Sequence, residues 1–177
     1  MNHLYKGRMT ALAQAVVLLV ASSVFAGLAV AATDSDVALE YASVHDLSAR
    51  MARNELSSVE LVKHLQARIA SLDEQGPTLN AVIELNPEAI DIAAALDNER
   101  TQGKSRGPLH GIPVLIKDNF DTADKMQTTA GSPAMIGDPA AADAFVVKQL
   151  RDAGAVIIGK TNTSEWAYVR QMDLPNG

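Results

Sequence analysis

Apolar and polar positions recur along this chain in blocks that predict alternating helices and strands. Ser43-Val44-His45-Asp46 has the spacing of a capping box, a hydroxyl acceptor followed three residues later by a carboxylate, and Leu47 and Met51 then follow at helical spacing. Ser57-Ser58-Val59-Glu60 repeats the signal. Behind it Leu61, Leu65, Ile69 and Leu72 form one apolar stripe of a second helix, which should stop at Gly76-Pro77. Leu79 to Leu85 reads as a short strand. Asn86-Pro87 supplies an N-cap and an N1 proline for a third helix, with Ile90, Ala93, Ala94 and Leu96 as its packing face and Gly103 as its end. Ile112 to Ile116 is apolar enough for a buried strand and runs straight into Lys117-Asp118-Asn119. Residues 118–140 carry no sustained period and read as a long loop. A fourth helix is predicted over Asp143 to Ala153, with Phe145, Val146 and Leu150 inward; Gly154 closes it and Val156-Ile157-Ile158 forms a third strand. Asn162 or Thr163 caps a last short helix carrying Glu165 and Trp166. Strands alternating with helices predict an α/β sheet.

The amino terminus has a different pattern. Lys6 and Arg8 are the only charges before Asp34, and an apolar run from about Ala11 to Phe25 leads to Ala29-Val30-Ala31. A basic stretch, an apolar stretch and an A-x-A end read as a secretory signal peptide cut near Ala31, which would leave residues 32–177 secreted or periplasmic, with no stable membrane anchor after cleavage. The other end, Asp173-Leu174-Pro175-Asn176-Gly177, is a turn with no closing element behind it, so the sequence reads as cut short. The 177 residues carry 15 Lys and Arg against 21 Asp and Glu, and no cysteine. An acidic balance argues against nucleic acid as a partner, and the cysteine count excludes disulfides, thiolate metal sites and a cysteine nucleophile.

Few segments carry chemistry. Gly154-Ala155-Val156-Ile157-Ile158-Gly159-Lys160-Thr161 satisfies the phosphate-loop pattern, but its strand-forming residues lie between the glycines, where a phosphate cradle needs flexible backbone. His3, His45, His64 and His110 are dispersed without metal-ligand spacing. Lys117 ends a strand that has no other polar side chain. An ammonium drawn into such surroundings loses hydration, which favours a neutral amine able to act as a base; the competing reading is a strand-end lysine whose head reaches water beside Asp118. Thr122, Thr128, Thr129 and Ser132 surround the region with hydroxyls, and this run also fits an ordinary loop.

Gly107-Pro108-Leu109-His110-Gly111-Ile112-Pro113-Val114-Leu115-Ile116-Lys117-Asp118-Asn119 resembles the lysine segment of the amidase signature family. Its flanks agree in order: Ser57-Val59-Glu60-Leu61 before it, Thr129-Ala130-Gly131-Ser132 after it, then Leu150, Ala153-Gly154-Ala155, Gly159-Lys160-Thr161-Asn162 and Glu165-Trp166. The likeness covers about residues 40–177. It implies a partial amidase domain over 32–177, the amino-terminal portion of an α/β fold with leading helices and the first strands of a mixed sheet. It implies a hydrolase of linear, non-peptide amide C–N bonds that works through a serine nucleophile, a second serine in a cis peptide linkage and a lysine, without metal or organic cofactor. The lysine role falls on Lys117 as general base. Both serines of the family lie in a glycine- and serine-rich segment that these 177 residues do not contain, and Ser132 and Ser164 do not occupy the matching positions. The expectation is therefore a fragment inactive alone, its parent enzyme acting on a small amide or peptide amide. The alternatives are a non-catalytic exported binding protein derived from an amidase, or a fragment resembling an amidotransferase A subunit.

Overall fold

The computed structural model describes residue 39 and residues 41–168. The predicted signal peptide and the turn at 173–177 lie outside the described residues. Among the described residues no helix is long and apolar enough to cross a membrane.

Both capping boxes form. Helix α1 spans Val44–Ala52, with Ser43 Oγ accepting the Asp46 N–H at 3.1 Å and the Asp46 carboxylate accepting the Ser43 N–H at 3.3 Å. Helix α2 spans Ser58–Ile69 behind the reciprocal pair of Ser57 and Glu60. It then widens into a π-helical turn, Ala70–Gln75, before ending at Gly76 as the sequence predicts. A Cβ at Gly76 would sit 2.4 Å from the Ser71 carbonyl oxygen, so only glycine fits this stop. From that turn the buried Asp73 carboxylate accepts the N–H groups of Ala81 (2.7 Å) and Val82 (3.1 Å) and so opens strand β1, Val82–Leu85. The strand starts later than Leu79 because Thr78 and Asn80 take left-handed backbone, which no strand continues through.

Asn86 caps a turn rather than the third helix. Its Oδ1 accepts the Glu88 N–H at 2.9 Å, its Nδ2 donates to Ile157 O at 2.9 Å, and helix α3 begins only at Ala89 and runs to Thr101. The buried face of α3 is Ala89, Ala93 and Leu96, while Ile90 and Ala94 face out. Strand β2 (Pro113–Lys117), helix α4 (Phe145–Asp152) and strand β3 (Val156–Thr161) follow. The sheet order is β1-β3-β2, with β3 antiparallel to β1 and parallel to β2. The region between β2 and α4 is irregular apart from one 3-10 turn at Pro133–Met135, close to the predicted loop.

Three apolar clusters hold these layers. Val62, Ala89, Ala93, Leu96, Val156 and Ile158 pack α2 and α3 on one sheet face; Ile116, Met126, Val147 and Ile157 pack under α4 on the other; Leu47, Met51, Leu56, Leu61 and Ile112 seat α1. The inward face of α4 differs from the predicted one. Val147 is buried and Leu150 half-buried, whereas Phe145 is 80% exposed and Val146 points out. Tertiary ties set this rotation: Asp143 accepts the Ala123 N–H at 2.8 Å and pairs with Arg151 Nε at 3.1 Å, and the Ala144 N–H donates to Asp121 O. The predicted last helix is instead an irregular turn, Glu165–Tyr168, in which Trp166 and Ala167 have φ of 53° and 56°.

Candidate active site at the ends of the parallel strands

In open α/β sheets ligands bind beyond the carboxyl ends of parallel strands, because the loops leaving those ends are free to carry polar groups. Here those ends are Lys117 on β2 and Thr161 on β3, which are register partners. Asp118, the next residue, is buried and its N–H donates to Thr161 O at 3.0 Å. Its carboxylate gathers the following loop: it accepts the N–H and hydroxyl of Thr129 and the N–H of Gly131, and its carbonyl accepts the Ala130 N–H. The charged acceptor thereby closes the loop back onto the strand end, with hydrogen bonds stronger than neutral ones.

Gly131 has φ +72°, and a Cβ there would lie 2.5 Å from Thr163 O. Glycine is required on both counts. Beside it Ser132 is buried and donates from Oγ to Glu165 Oε1 at 2.7 Å, while the Trp166 N–H donates to Ala130 O at 2.9 Å. Ser132 is thus held against the chain after β3. A cavity of about 430 Å³ opens here, lined by Ile83, Glu84, Asp118, Gln127, Thr129 and Ser132 among others.

Lys117 lies half-buried at the end of β2. Full burial falls on a different lysine, Lys160, which lies inside β3 although the sequence predicts the third strand only over Val156-Ile157-Ile158. Lys160 is 0% exposed and donates from Nζ to Phe120 O (2.8 Å), Gln127 O (2.9 Å) and Thr128 Oγ1 (3.0 Å). Burial pushes its ammonium below the usual lysine range, and the carboxylates of Asp118, Asp124, Glu84 and Asp121 oppose that shift. Between Gly154 and Gly159, Val156, Ile157 and Ile158 belong to β3 rather than to a phosphate cradle. Of the remaining hydroxyls, Thr122 is buried and Ser164 is half-buried. His45 is exposed, and His110 is buried against the Leu96 carbonyl at 2.9 Å. Local spacing gives no signal for Lys160, because its burial depends on the register of β3 against β2.

The family model described as Amidase matches residues 60–175. This chain belongs to the amidase family. Among the curated relatives, a Schizosaccharomyces pombe protein named as an amidase is 45% identical over 142 residues, covering 80% of this chain and 24% of its own length. Among solved structures, the native peptide amidase of Stenotrophomonas maltophilia is 54% identical with a TM-score of 0.73, covering 76% of this chain and 27% of that one. An amidase family protein from Bacillus anthracis is 39% identical with a TM-score of 0.75, over 81% of this chain and 28% of that one. The amidase chain described here therefore spans about a quarter of the length of these relatives, and its helices and mixed sheet correspond to part of the amidase signature fold.

Proposed function

We propose that this chain supplies the amino-terminal part of a hydrolase that cleaves carboxamide C–N bonds, with Lys117 as its general base. The observation that carries the reading is the position of Lys117. It ends a parallel strand, beside the buried Asp118 that ties down the cavity wall, in a chain of amidase family membership. Chemically, an amine there takes the proton of a serine hydroxyl through a second, bridging serine, because an unassisted hydroxyl is a weak nucleophile. Attack on the carboxamide carbon then gives an acyl-enzyme and releases ammonia, and water completes the cycle. Neither metal nor organic cofactor enters these steps.

The likeness to the Stenotrophomonas maltophilia peptide amidase supports a peptide carboxamide as the substrate class. The basic-then-apolar amino terminus supports export. Residues 1–177 contain no glycine- and serine-rich segment to provide the nucleophile and oxyanion donors, so by themselves they release no ammonia from a peptide carboxamide. Ammonia assay of the purified chain checks this, and steady release above a buffer control would contradict it. The positive arm is a chimera in which residues 41–168 replace the matching part of the Stenotrophomonas maltophilia enzyme. That chimera is expected to release ammonia.

A further inference from the structure

We propose that Lys160 is a positioning residue for the Lys117 site: its buried ammonium ties the segment leaving β2 to the sheet and thereby sets the cavity wall beside Asp118. The role given to Lys117 rests on the amidase reading above; the geometry of the tie does not.

Strict alternation along β3 would send Lys160 to the same face as Val156 and Ile158, against α2 and α3. The register prevents it. Val114 pairs with Ile157 and Leu115 with Gly159, so β3 carries one extra residue at this point. Such a bulge moves every later side chain to the opposite face. Gly159 takes the crowded position, where a Cβ would lie 2.5 Å from Glu84 O and 3.2 Å from Leu115 Cδ2. Lys160, the partner of Ile116, then emerges on the α4 side.

There its three N–H donors are spent on three oxygens of one segment, Phe120 O, Gln127 O and Thr128 Oγ1. All three acceptors are neutral. A buried cation held by neutral oxygens is an expensive way to fill space beside Met126 and Ile116, and an apolar side chain would do so at lower cost. What the ammonium adds is direction. Glu84, its register partner on β1, accepts the Gln127 N–H at 2.8 Å, so Gln127 is held from both β1 and β3. One residue further, Thr129 reaches Asp118 with its N–H and hydroxyl, and Gly131 follows with its N–H. Asp118 adjoins Lys117. The grip of Lys160 is therefore separated from the neighbour of the proposed base by a few residues of pinned backbone.

The experiment uses the 177-residue chain and no turnover, so its failure is distinct from failure of the amidase reading. Lys160→Met removes the three donors and keeps the bulk. The expected result is amide exchange at Gln127, Thr129 and Gly131 faster by about tenfold or more, with Leu61 and Ala93 unchanged. Acetylation of Lys117, read by mass spectrometry against exposed Lys63, should change by about threefold or more. Thr128→Val, which removes one acceptor at constant shape, should act in the same direction by a smaller factor and decides the question if Lys160→Met does not fold. Uniform acceleration of all amides would show that Lys160 only supports the fold and would overturn the proposal. So would faster loop exchange with an unchanged Lys117 rate.

Discussion

Burying an ammonium away from water is unfavourable, and the protein accepts that cost at Lys160. The consequence for pH follows from the direction of its shift. Its folded-state value lies below the ordinary 10.5, so over that interval the unfolded chain binds more protons than the folded one, and stability rises with pH. Asp118, Asp124, Glu84 and Asp121 limit the gain without reversing it. As pH is raised towards 10.5, the melting temperature of the chain should gain on that of Lys160→Met; calorimetry across the alkaline range reads this, and a relative loss would count against it. Asp118 is the second residue on which the site depends. Asp118→Ala orphans the Thr129 and Gly131 donors and should cost about 2–4 kcal/mol in urea unfolding, with Asp118→Asn costing less. At this scale Lys117 was legible in the sequence, because a lysine directly after an apolar strand marks a strand end. Lys160 was not. Its burial depends on a bulge that no local pattern announces, and strict alternation gives it the wrong face.

Elements whose instructions are local were legible in the same way. Both capping boxes, the stop at Gly76 and the strand leading to Lys117 each depend on residues within a turn or two of one another. Removing the Ser57 side chain by Ser57→Ala should accordingly cost about 1 kcal/mol, measurable by chemical denaturation. Elements whose orientation depends on distant partners were misread. The inner face of α4 follows from Asp143 holding Ala123 and Arg151, and the start of α3 follows from Asn86 being drawn to Ile157 O, contacts that sequence spacing does not contain. The register of β3 belongs to the same class, and Gly159 tests it. Gly159→Ala drives a methyl group against Glu84 O where β1 and β3 meet. The expected loss is about 1–3 kcal/mol, with faster exchange at the Asn86 amide that bonds Ile158 O. An Ala variant as stable as the parent would mean that the bulge relaxes freely.

For the molecule as a whole, the fold class and the family could be read from ordered segments of sequence, and the mixed sheet with its covering helices agrees with them. Catalysis is a different matter, because it needs groups brought together from segments far apart in sequence. The proton-accepting role is proposed for the half-buried Lys117 and a supporting role for the fully buried Lys160. The most direct test compares ammonia release from a peptide carboxamide by the chimera with the Stenotrophomonas maltophilia peptide amidase, before and after Lys117→Met. The expected result is a fall of at least about 10²-fold with the fold intact by circular dichroism. A Lys117→Met chimera that keeps the parent rate would contradict it.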